Sequence, residues 1–315
     1  MSMLARSLVL VFAAAWLSGC ATTPIPSAYR TFDAESASEG ELDFHGLPLQ
    51  SGQLVVSDSG DPDSLLMSML GEQYTPYGHA GILSIEAGKA YVYEGYASLW
   101  PFFGGPPTDA MRGRIRRVTL EQYVGRQRVT AIFDPAAGVD KAAVAAFARA
   151  RHEDGTEFDP YFDWRDHTRL YCTEFVALAL HAGGRPLPTP VRVRDNASLR
   201  IALDWLKVRA PAIVTAGSLT EGAERVALIS RQLSAREVEA YFAAKRELHR
   251  RFTDDQKLGN IWSWSWRGLQ LRPQVEAFLE ASSVWPHETA AELADDWLGA
   301  VEQPDSRWGK LDTGG

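Results

Sequence analysis

Three residues of this 315-residue chain carry the groups that nucleophilic catalysis needs: the thiol of Cys172, the imidazole of His79 and the carboxylate of Glu94. Cys172 stands in RLYCTEFVALAL (169–180), where an apolar helix begins directly after a polar loop. A helix N-terminus has unpaired N–H groups and a partial positive charge, which favour thiolate over thiol. The thiolate is the competent nucleophile, and a neighbouring imidazole would generate it. Position alone also fits a small buried hydrophobe, the usual fate of a free cysteine.

Of seven histidines, His79 opens the strand pattern HAGILSIE. A second strand pattern, Lys89 to Tyr96, follows a turn at Ala87-Gly88. A turn of two or four residues puts His79, Gly81, Leu83 and Ile85 on one face with Val92, Glu94 and Tyr96. With two, Gly81 lies opposite Glu94 and His79 is its diagonal neighbour, within reach of an imidazole–carboxylate contact. A three-residue turn would separate them. The carboxylate's role would be to hold the imidazole tautomer and stabilise its cation. Taken singly, His79 and Glu94 also fit ordinary strand residues.

Other groups weigh less. His79, Glu94 and Cys172 have no close-spaced ligand pair for zinc, so no metal and no cofactor is expected. His167 is a reserve base. Glu174 reads as a structural or substrate-facing carboxylate. Asp159, Asp163 and Asp166 lack calcium-loop spacing and read as solvated loop residues.

The elements that must hold these groups follow from pattern. Strands are expected near 53–57, 79–86, 89–96, 114–119 and 128–133, and helices near 61–70, 139–151 and 172–182. Gly183-Gly184 ends the Cys172 helix. Short helices are expected within 198–208 and 218–230. From Ser234 the texture changes: Ser234-Ala235-Arg236-Glu237 is a capping box, and Val238, Tyr241, Phe242, Lys245 and Leu248 keep helical spacing with one polar member. Further helices are expected near 273–282 and 288–301, after an alternating Trp–Ser run, NIWSWSWRG (260–268).

The N-terminus predicts export. Residues 1–19 have the dimensions of a signal peptide, ending Leu17-Ser18-Gly19 before Cys20. This ending resembles the lipobox of bacterial lipoproteins, which implies that Cys20 is acylated and anchors the chain to a membrane. Residues 20–45 then read as a flexible tether, 46–230 as the main domain, 231–302 as a separable helical extension and 303–315 as a disordered tail. The net charge is −8, with no basic cluster, so nucleic acid is not an expected partner. With Cys20 acylated, Cys172 has no disulfide partner, and an unpaired thiol in an oxidising compartment needs a reason.

The segments GQLVV (52–56), YGHAGI (77–82), YVYE (91–94) and YCTEF (171–175), in that order, resemble the YaeF/YiiX family of permuted papain-like enzymes in the NlpC superfamily. Residues 213–229 resemble that family's closing segment, so the likeness spans roughly 46–230. It departs at Gly78, where the family often has Ser, and at Phe158-Asp159, where a Tyr-Asp pair often stands. The resemblance implies an α+β, circularly permuted papain-like fold, with an antiparallel barrel-like sheet packed on the Cys172 helix. It also implies a Cys172–His79–Glu94 triad and an acyl-enzyme. The expected activity is amide hydrolysis, on a cell-wall peptide, muropeptide or N-acyl amino acid, by a lipid-anchored protein facing the periplasm, at the outer membrane. Two alternatives stay open: a lipid-ester hydrolase or acyltransferase using the same triad, and a binding lipoprotein with a dead site.

Overall fold

A computed structural model describes residues 41–282, except 45–46, 98–112, 197–198, 201–202, 204–207, 231, 255–260 and 266–267. Cys20, the signal-like segment, the helix expected at 288–301 and the tail lie outside the described residues. The first described element, β1 (Glu41–Phe44), lies inside the segment expected to be a tether and pairs antiparallel with β2 (Leu47–Gln50). No described helix is long and apolar enough to cross a membrane.

The chain is a mixed α+β protein built on a six-stranded antiparallel sheet. Its strands are β3 (Leu54–Asp58), β4 (His79–Glu86), β5 (Lys89–Tyr96), β6 (Arg114–Thr119), β7 (Val129–Asp134) and β10 (Glu224–Ser230), in the order β10-β7-β3-β4-β5-β6. Alternation divides the sheet's apolar residues between two clusters. Leu54, Val56, Ala80, Ile82 and Tyr93 join the main core. Val55, Leu83, Ile85 and Val92 join a smaller one with Leu120 and Tyr123. Both faces are therefore covered.

The β4–β5 connection is the two-residue turn Ala87-Gly88, both residues at positive φ (48° and 72°). That is the backbone of a type I′ hairpin, and it fixes the register. α1 (Pro62–Met69) starts at Asp61, whose side chain accepts from the Ser64 N–H at 2.7 Å. α2 (Leu120–Gly125) is a helix that the sequence reading missed, announced by a Thr119–Gln122 capping box. α3 (Lys141–Glu153) and α4 (Cys172–Ala182) pack on the sheet's main-core side. α4 ends in a Schellman motif: Arg185 N–H bonds Leu180 O and Gly184 N–H bonds His181 O, with Gly184 at φ +96°.

The helix expected across 218–230 is instead α5 (Ala216–Thr220) followed by β10. Gly222, at φ +71°, breaks the helix, and ERVALIS then alternates with a period of two. Beyond it lie α6 (Ala235–Asp254), the hairpin β11 (Trp262–Ser265) and β12 (Gly268–Leu271), and α7 (Pro273–Ser282). The extension is thus not purely helical: the Trp–Ser alternation is a strand. Trp262 is buried, its indole N–H directed at Pro62 O at the start of α1. A short ladder, β8 (Val191–Arg192) with β9 (Ala212–Ile213), completes the described elements.

Candidate active site

The hairpin register places Gly81 opposite Glu94 and makes His79 the diagonal neighbour of that carboxylate. His79 Nε2 lies 2.6 Å from Glu94 Oε2. Gly81 cannot carry a side chain, since a Cβ there would lie 2.7 Å from Val92 Cγ1 and 2.8 Å from Tyr93 O. Glu94 is only 1% exposed. Its other oxygen, Oε1, accepts from Arg116 Nε at 2.9 Å and Arg126 Nη2 at 2.7 Å. Burial pushes the Glu94 carboxyl up, but the bond and charge of His79, followed by Arg126, pull it down to about 2.

The two arginines were missed by sequence reasoning. Arg116 faces Glu94 directly across β5–β6, its guanidinium carbon 3.3 Å above the Tyr96 ring. That register depends on a connection spanning 97–113, whose length hides which residue meets which. Arg126 caps the C-terminus of α2, an element that was itself unforeseen.

Tyr123, also on α2, stacks on the imidazole with ring centres 6.0 Å apart and planes 24° from parallel. Its hydroxyl shares a 2.8 Å hydrogen bond with Ser57 Oγ. With Nε2 engaged by Glu94, Nδ1 is the ring atom left to meet a thiol. Burial lowers the His79 pKa, yet the charge and hydrogen bonding of Cys172, then Glu94, raise it to about 10. Both neighbours thus favour a proton on the imidazole.

Cys172 occupies the first turn of α4, and 5% of its surface is exposed. Gly95 brings the sheet against that helix start: a Cβ there would sit 3.2 Å from both Cys172 Cα and Cys172 N. His79, Glu94 and Cys172 all line one cleft of about 300 Å³. Its apolar lining includes Met67, Phe158 and Phe162, and its polar lining includes Asp61, Asp63, Arg126 and Gln127. Burial and then the Asp61 charge raise Asp63 to about 6.

The remaining candidates fall around this cleft. Asp159 is buried, not solvated as expected, because its carboxylate accepts from the N–H groups of Tyr161 (2.9 Å) and Asp163 (2.6 Å). These bonds bracket Phe162, which holds φ +58°, a conformation unfavourable for a bulky residue. Phe162 in turn packs on Tyr171, ring centres 5.0 Å apart, beside the nucleophile candidate. Asp163 and Asp166 make local turns in the same loop.

His167 is turned away to Glu174, Nδ1 to Oε1 at 2.6 Å. It does not line the cleft. Glu174 is fully buried, and its Oε2 accepts from the Tyr171 N–H, capping α4. Gly78 is required by packing, since a Cβ would meet Ser64 Oγ at 2.8 Å. Among the described residues, no three His, Cys, Asp or Glu side chains are grouped to hold a metal ion.

No protein-family model matches the chain, and no curated protein does. Among solved structures it is similar to a crystal structure of metalloprotein YiiX from Escherichia coli O157:H7. The two share 16% identity over 58% of this chain and 97% of that one, with a TM-score of 0.43.

Proposed function

We propose that this chain is a cysteine hydrolase of amide bonds, with Cys172 as nucleophile, His79 as base and acid, and Glu94 as the carboxylate that orients His79. The observation that most supports this is an imidazole bonded to a buried carboxylate and lining one cleft together with the sulfur at the start of α4. His79 takes the thiol proton, and the sulfur attacks the scissile carbonyl carbon. The Cys172 backbone N–H, at the positive end of α4, helps hold the oxyanion. As the C–N bond breaks, the imidazolium gives its proton to the leaving amine. Water, deprotonated by His79, then releases the acid and restores the thiol.

The sheet-on-helix arrangement, with histidine and carboxylate preceding the cysteine, fits a permuted papain-like design. A small cleft carrying Asp61 and Asp63 suits a peptide or N-acyl amino acid better than the wide apolar groove that a lipid ester needs. We place the protein in the cell envelope, anchored through lipid on Cys20. Cys20→Ser should then shift it from the membrane fraction to the soluble or unprocessed fraction, and unchanged fractionation would defeat the anchor.

Activity against muropeptides, N-acyl amino acids and phospholipids tests the chemistry. Cys172→Ala and His79→Ala should each abolish turnover, and the double variant should be no worse, since the residues act as one unit. Glu94→Gln should lose roughly two to four orders of magnitude. A wild-type Cys172 that iodoacetamide alkylates no faster than free cysteine, together with no turnover, would leave only a binding protein.

A further inference from the structure

The cleft shares part of its lining with a second recess. Ser59, Arg126 and Gln127 are common to both, and the recess, of about 210 Å³, is completed by Gly125, Arg128 and Gln232. This lining holds two arginines and no acidic residue, and Arg128 also borders a larger recess that carries Asp61, Glu276 and Glu280. Arg126 is engaged with Glu94, whereas Arg128 pairs with no carboxylate among the described residues. Two atoms beside it, Arg128 Nε and Gln127 Oε1, are closed to solvent and lack any hydrogen-bond partner.

Arg128 is nevertheless held in place. Its guanidinium carbon lies 4.6 Å from the centre of the Tyr241 ring. Gly60, at φ +77°, leaves it room, since a Cβ there would sit 2.8 Å from Arg128 Cδ. A fixed cation lining a recess that shares its walls with the catalytic cleft is an arrangement that a planar or tetrahedral oxyanion satisfies.

We propose that this recess is the anion subsite of the cleft: the substrate attacked by Cys172 carries a carboxylate or phosphate that Arg128 binds. This rests on the reading of Cys172 as nucleophile and adds the substrate's charge to it.

The test is alkylation of Cys172 in the full chain by ω-bromoalkanoates and their matched amides, over a series of chain lengths, followed by mass spectrometry. The acid-to-amide rate ratio is compared with that for glutathione. The ratio should peak at one chain length, about tenfold above glutathione, the equivalent of one charge-assisted hydrogen bond. Arg128→Gln should remove the peak, and Arg128→Lys should keep part of it. ω-Bromoalkylphosphonates in a parallel series identify which anion fits better. A wild-type ratio at or below that of glutathione at every length overturns the subsite. So does a preference that is greatest for the shortest acid and survives Arg128→Gln, because that is attraction to the His79 imidazolium alone. If the neutral amides also react no faster than with glutathione, the subsite falls together with the nucleophile reading, a result distinct from loss of the acid preference only.

Discussion

A carboxylate as buried as Glu94 is tolerable only because an imidazole and two guanidinium groups converge on it. Its folded pKa, about 2, lies below the ordinary 4.5, so its stabilisation is present above 4.5 and is lost as pH falls toward 2. Glu174, two residues after the thiol, is the opposite case. Burial raises it, the Tyr171 N–H opposes, and Asp159, Asp166 and Asp163 add to the rise, to about 9. A proton held by Glu174 at neutral pH would be donated across the 2.6 Å contact to His167 Nδ1. Between 4.5 and about 9 the native state keeps a proton that the unfolded chain releases, so stability falls as pH rises across that window. Glu174→Gln supplies a donor and an acceptor without the proton. It should match wild-type stability within about 1 kcal/mol near pH 6 and exceed it near pH 9. Urea unfolding at the two pH values checks this, and a variant destabilised equally at both would mean that Glu174 is ionised.

At the scale of elements, the site depends on how closely backbone approaches backbone. Gly95 lets β5 touch the start of α4, and Gly78 lets Ser64 of α1 close over the residue before His79. Gly95→Ala would push Cys172 back by a few tenths of an ångström. Turnover should fall by about tenfold or more, since small misplacements of reacting atoms are costly, while unfolding free energy drops only about 1–2 kcal/mol. Steady-state kinetics beside thermal melts separate these effects, and full turnover would show that the contact does not position the thiol. The β4–β5 hairpin and α4 were legible in the sequence, because a two-residue Ala-Gly turn and an apolar run ended by Gly-Gly are local signals. β10 was not, since seven alternating residues after a short helix read equally well as its continuation. Arg116 was hidden for a related reason: its partner is chosen by the register of β5 with β6 across a long connection.

At the scale of the molecule, the C-terminal segment shares the main core. Val238, Tyr241, Phe242 and Leu248 of α6 belong to the same apolar cluster as Phe175 and Val176 of the Cys172 helix. Lys245, the polar member of that stripe, is fully buried, with Nζ 2.7 Å from Asp58 Oδ1 and 2.9 Å from Pro76 O. Asp58 also accepts from Ser64 Oγ on α1 and from Tyr241 OH at 2.7 Å. Sequence pattern exposes the odd lysine but not its purpose, because the partner lies 187 residues away. Asp58 adjoins Ser57, which bonds the tyrosine stacked on His79, so α6 buttresses β3, the strand paired with the one that carries His79. Lys245→Met strands a buried carboxylate and should cost about 3–5 kcal/mol. Adding Asp58→Asn should recover part of that loss, since the uncompensated charge then disappears. Truncation after Ser230 exposes the apolar face of α6's partners and strands the same carboxylate, so the product should lose cooperative unfolding. Urea melts of the three proteins decide the matter: a truncated chain that unfolds as late and as sharply as the whole would make residues 231–282 an appendage and leave the site independent of them.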